Sequence, residues 1–156
     1  MALIVEDGLS RANSEAYGSV ADCTTYYSNM GYSDTASEAS LRRGSRWLDS
    51  EFIRRWKGTK ASATQAMQWP RYGMTDEDDA EIGWGEIPDA IKRASFEAAR
   101  KVDVAMTVDE SKSIQSVKAG SFEVTFAFPQ REQETLDFIY KLVRPYIRPS
   151  GILVRA

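Results

Sequence analysis

The chain has 156 residues, a net charge of −3 and 42% hydrophobic residues, which fits one soluble domain with a real core. Histidine is absent and Cys23 is the single cysteine, which excludes Ser–His–Asp and Cys–His catalysis, a Cys/His zinc site and an intrachain disulfide. The acidic balance argues against a general nucleic-acid binder, which usually carries a basic excess, and no apolar run approaches the roughly 20 residues of a membrane span.

The opening, MALIVEDG, lacks the basic start of a signal peptide. Its apolar run Leu3–Val5 reads as an edge strand, an arm that adds to a neighbour, or a frayed terminus. Ser19 with Asp22 forms a capping-box pattern, and Val20, Cys23, Tyr27 and Met30 mark a helical face that Gly31 stops. Cys23 is expected to be a small buried residue. Thr35 with Glu38 suggests a second capping box. The stripe Leu41, Gly44, Leu48 and Phe52, widened by Trp47 and Ile53, predicts a helix over about 35–53.

Arg42, Arg43 and Arg46 lie on that helix, and Arg54, Arg55, Lys57 and Lys60 follow. Such a stretch suits nucleic acid or an acidic partner, and equally a solvated face paired with nearby acids. From Trp56 to Glu86 no periodicity holds, yet Trp56, Trp69, Tyr72 and Trp84 punctuate the segment. A disordered linker is poor in aromatics, so an ordered loop pinned by its tryptophans is expected. The mix of Trp56, Lys57, Trp69 and Arg71 is also suited to stacking bases. The acidic run Asp76, Glu77, Asp78, Asp79 and Glu81 fails the EF-hand pattern, since positions 6 and 12 from Asp76 are Glu81 and Ile87. It reads as a solvated loop tip.

Ile87 to Met106 is the clearest helix. Pro88 suits its first position and Asp89 its first turn. Ile91, Ala94, Ala98, Val102 and Ala105 form a narrow face of small residues, expected against the 35–53 helix, while Lys92, Arg93, Glu97, Arg100, Lys101 and Asp103 fall largely off it. Residues 113–118 and the alternating run Phe122–Phe128 predict a β-hairpin. A last helix spans 131–143, with Leu136, Ile139, Tyr140 and Val143 as its face. Pro145 and Pro149 end it, and the apolar triplet Ile152, Leu153 and Val154 reads as a disordered terminus or as a docking tail.

The residues thus predict a mainly α (α+β) domain over 1–156: a bundle of about four helices, a β-hairpin and a long ordered loop, with a possible arm at 1–18 and tail at 145–156. They offer no catalytic constellation, no phosphate-binding loop and no cofactor or metal motif, and point to a non-enzymatic assembly or binding protein.

Several stretches carry a family resemblance: the opening MALIVEDG, Ala12–Ser14, Tyr26–Tyr27, RWLDSEF at 46–52, WKGTKAS at 56–62, QWPRYG at 68–73 and IPDAIKRASFEAA at 87–99. The Trp-Lys-Gly-Thr and Gln-Trp-Pro-Arg pieces are the most specific. The chain resembles a family of tailed-phage proteins labelled DnaT-like single-stranded-DNA-binding proteins, and is similar in layout to phage head–tail adaptor (connector) proteins. The adaptor resemblance implies a structural neck protein of a virion, made in the host cytoplasm. It would form a ring, in such adaptors commonly of twelve copies, between the portal and the next neck or tail-completion protein, with DNA passing through the lumen and no membrane involved. On that expectation the subunit or partner interface draws on Arg42, Arg43, Arg46, Trp56, Lys57, Trp69, Arg71, Asp76, Asp78, Asp79, Ile152, Leu153 and Val154, with basic and acidic stretches meeting between neighbours. The alternative expectation, from the family label, is a single-stranded-DNA-binding protein acting in replication.

Overall fold

The structure, a computed structural model, describes residues 2–107 and 130–149. Four helices carry it: α1 (Val20–Met30), α2 (Glu38–Glu51), α3 (Asp89–Thr107) and α4 (Gln130–Val143), the last running into a 3₁₀ turn at Arg144–Tyr146. Two short antiparallel strands, β1 (Thr59–Lys60) and β2 (Arg71–Tyr72), pair Thr59 with Tyr72 and Lys60 with Arg71. This is the mainly helical fold with a small antiparallel hairpin that the sequence predicts. The strand pair, however, lies inside the long loop, and the hairpin expected at 113–128 falls outside the described residues, as does the 152–154 tail.

The α1 boundaries follow the sequence. The Ser19 hydroxyl accepts from the Asp22 N–H and the Asp22 carboxylate accepts from the Ser19 N–H, while Gly31 closes the helix at φ 72°, where a side chain would be strained. Helix α2 begins later than expected. Its cap is Ser37, whose partner at the third helical position is Ser40, so Glu38 already lies in the first turn. Thr35 does not cap it, because the nearer serine pair satisfies the same orphan N–H groups.

Helix α3 packs across α2 as the principal helix contact, and α4 packs on α3. The small face does what its spacing predicts: Ile91, Ala94 and Ala98 are fully buried. The buried surface is wider than one stripe, because α3 lies between α1, α2 and α4 and Ser95, Phe96, Glu97 and Ala99 are buried as well. Glu97, expected among the off-face residues, is 1% exposed and accepts from the Tyr26 hydroxyl at 2.9 Å and from Arg100 at 3.3 Å. A carboxylate tolerates that burial because both partners donate to it.

Two apolar clusters result. One gathers Cys23, Tyr27, Leu41, Phe96 and Ala99 under α1; the other joins α2, α3 and α4 through Leu48, Phe52, Ile91, Ile139 and Val143 to the tryptophans of the loop. Burial pushes the Cys23 thiol up to about 11, which keeps it protonated and unreactive. Two expected face residues point outward instead. Ile53 is 57% exposed, just past the α2 end at Phe52, and Leu136 is 37% exposed. Tyr140 is also more than a third exposed, held against Arg55 rather than in the core.

The N-terminal segment folds back on the domain. Val5 bridges Ala16 in parallel, and the buried Glu6 carboxylate accepts from the N–H groups of Gly8, Ser10 and Arg11 and from the Ser14 hydroxyl at 2.7 Å.

Candidate functional site

The segment Trp56–Glu86 is ordered, and two of its tryptophans hold it. Trp56 and Trp69 are buried and meet edge to face at 5.8 Å, and Trp69 meets Tyr146 in the same way at 5.6 Å. A polar clamp fixes the turn before Pro70. The Tyr17 hydroxyl donates to one Asp49 carboxylate oxygen, and the other accepts from the Gln68 N–H at 3.0 Å; the Tyr17 oxygen in turn accepts from the N–H groups of Gln68 and Trp69. Burial pushes the Asp49 carboxyl up to about 6, against the pull of the Tyr17 and Gln68 hydrogen bonds. Arg71, buried and with its guanidinium pushed down by desolvation, donates to the carbonyls of Lys57, Gly58 and Gln68.

These contacts decide the roles of the residues the sequence singled out. Trp56, Trp69 and Arg71 are inside, so they organise the loop and present no surface for stacking a base. Lys57 is half-buried, its ammonium on the Pro145 carbonyl at 2.7 Å. Arg42 is paired with Glu15 at 2.9 Å and Glu38 at 3.3 Å. Arg43 is half-buried and Arg46 exposed on the same helix. Asp76, Asp78 and Asp79 stand at a projecting tip, and the structure does not bring them to the α2 arginines in one chain.

The exposed charged and aromatic side chains around the loop fall in two places. The first is a basic and aromatic edge where the α2 exit meets the α4 exit. The Arg55 guanidinium lies between the rings of Phe52 and Tyr140, 5.6 and 5.1 Å from their centroids, and donates to the Tyr140 hydroxyl at 2.6 Å. The Arg148 N–H donates to the Arg55 carbonyl at 2.6 Å, which brings the two arginines together, while Arg144 lies one helical turn beyond Tyr140. Arg54, Lys141, Arg144 and Arg148 are exposed. Among the described residues none of these cations forms an ion pair, unlike Arg11, Arg42 and Arg100.

The second is an acidic hairpin. Thr75 bridges Glu81, the Ile82 N–H donates to the Met74 carbonyl, and the Asp76 carboxylate accepts from the N–H groups of Asp78 and Ala80 at 2.9 Å each. Extending that register outward sets Tyr72 opposite Trp84. Their rings stack with centroids 6.4 Å apart and 27° between planes, 45% and 68% exposed. Trp84 is therefore no anchor of the loop. The acidic run forms the end of an ordered hairpin, and a cleft of about 570 Å³ beside it adds Glu6, Glu86 and Asp89.

Sequence reasoning missed Arg148 and Tyr140 as surface partners of Arg55, because they are 85 or more residues away and Tyr140 falls on an apolar spacing. It missed Tyr17 and Asp49 for the same reason: the clamp joins three separate segments.

The model of a family described as "putative DnaT-like ssDNA binding protein" matches residues 1–156. The chain belongs to that family. No curated protein and no solved structure matches the chain. The match corrects the head–tail adaptor reading: the family over the full length is described by single-stranded-DNA binding and not by a place in a virion neck. The adaptor reading leaned on similar layout and on the overall acidic balance. A net charge of −3 does not exclude a local basic edge.

Proposed function

We propose that this DnaT-like protein binds single-stranded DNA exposed during replication, without catalysis, through the edge formed by Arg54, Arg55, Tyr140, Lys141, Arg144 and Arg148. The observation that carries the reading is the family match over residues 1–156. The edge supplies the chemistry such binding needs. Arginines that form no ion pair among the described residues take backbone phosphates, and Tyr140, held by Arg55 yet more than a third exposed, offers a ring face to a base.

The test is fluorescence anisotropy with a labelled oligo(dT). The logarithm of the wild-type binding constant is expected to fall linearly with the logarithm of salt concentration, with a slope of about −0.7 for each phosphate contact. Arg54→Glu with Arg148→Glu removes two exposed cations and is expected to weaken binding at least about tenfold and flatten that slope. Tyr140→Ala is expected to cost about 5- to 100-fold, the range for one stacked base. Absence of oligo(dT) binding at low salt, or wild-type affinity in the double variant, overturns the assignment.

A further inference from the structure

The basic edge and the acidic hairpin are complementary in two respects at once. Several other charges are paired within the chain: Arg11 on Asp7, Arg42 on Glu15 and Glu38, Arg100 on Asp34 and Glu97. Among the described residues, the edge cations Arg54, Arg55, Arg144 and Arg148 and the hairpin acids Glu77, Asp78, Asp79 and Glu81 form no ion pair. Each charged set also borders exposed apolar surface. On the hairpin this is the stacked pair Tyr72 and Trp84; on the edge it is Ile53 at 57%, Phe138 at 36% and Tyr140 at 38% exposed. Large rings left at a protein surface mark interaction sites when they lie together, and arginine is the cation that stacks on them.

We propose that the acidic hairpin of one copy docks on the basic edge of a second copy of this chain. The occupant is chosen by charge complementarity: the chain itself carries the cationic, aromatic-bordered surface that the hairpin fits. The two patches differ, so one contact is heterologous. Two copies close reciprocally if both contacts form in one pair, and otherwise extend head to tail. The hairpin is preformed for this, because Asp76 ties its tip and the register is fixed as far as Ile82, so little ordering cost opposes docking. Single-stranded DNA would compete for the edge, and that part rests on the function proposed above.

The test is molar mass by light scattering, without DNA, on three proteins. The hairpin variant is Glu77→Lys with Asp78→Lys; it spares Asp76, which ties the tip, and Asp79, which sits at φ 61°. The edge variant is Arg54→Glu with Arg148→Glu. All four positions are exposed, and circular dichroism checks folding. Wild type is expected to associate at about 0.1 M salt and to dissociate at about 1 M, where the screening length falls to about 3 Å. Each variant alone is expected to be monomeric, since like charges then face each other. An equimolar mixture is expected to associate again, because each partner offers the complement of the other. A monomeric wild type at high concentration, a salt-insensitive oligomer, or a mixture that stays monomeric overturns the proposal. The hairpin variant keeps the basic edge, so its oligo(dT) binding separates the two ideas. Binding by a protein that never associates sinks only this inference, and association without oligo(dT) binding sinks only the functional one.

Discussion

Gly44 and Ala99 meet where α2 crosses α3 with almost no side chain between the two backbones; a Cβ on Gly44 would lie 2.6 Å from the Ala99 Cα. Trp56, Trp69 and Tyr146 meet under the loop with almost nothing but side chain between segments that have no regular structure. The helix crossing is held by shape, so its tolerance is set by volume. The loop is held by ring contacts and by a buried polar clamp, so its tolerance is set by hydrogen bonding and charge as well. Irregular backbone here belongs to the core as fully as a helix does, and the function proposed for the edge depends on that rigidity, because Arg55 immediately precedes the pinned Trp56.

Trp69→Ala tests the comparison most severely. If the loop is core, removing a fully buried indole is expected to cost about 3–5 kcal/mol in urea unfolding; a cost near zero would make the loop a peripheral flap. Gly44→Ala probes the other side. Because the nearest atoms are backbone, the helices must move apart, at an expected cost of about 3 kcal/mol.

The clamp separates the two regions by pH. Asp49 is raised from 3.8 to about 6 in the folded state, so the folded protein binds an extra proton between those values. Its contribution is present below about pH 4 and lost as pH rises through about 6. Wild type relative to Asp49→Asn is therefore expected to lose about 2 kcal/mol between pH 4 and pH 7, less than the full shift implies because the carboxyl is partly exposed. Gly44→Ala against wild type should show no such trend. The smallest effect belongs to Trp84→Ala. With the indole 68% exposed, the stability change is expected within about 0.5 kcal/mol, measured in the same urea series as Trp69→Ala.

The helices were legible wherever a local pattern is sufficient. Ser19, Asp22 and Gly31 bound α1 by contacts within a few residues, and the Ile91, Ala94, Ala98 spacing marks the buried face of α3. Tryptophan content correctly implied a pinned loop, since Trp56 and Trp69 have few other uses at that spacing. Contacts between distant segments stayed hidden. Glu97 looks like a surface residue until Tyr26, 71 positions away, donates to it. Arg55 looks like one more cation of a basic run until Tyr140 and Arg148 define its edge. The acidic run looks like a loose tip because its hairpin register depends on backbone hydrogen bonds that side-chain patterns do not report.

The Glu6 carboxylate has a consequence for proteolysis. Arg11 is an exposed trypsin target in a stretch without helix or strand, the usual profile of a first cut. Yet its own N–H is held by Glu6 and its carbonyl accepts from the Ala66 N–H at 2.9 Å, so the peptide bond there cannot lie extended in a protease cleft while those bonds persist. Cleavage at Arg11 requires the whole Glu6 loop to open. Trypsin should therefore spare this coil in the wild type and cut it quickly in Glu6→Ala, making digestion rate a readout of how tightly one buried carboxylate stitches the chain's beginning to its middle.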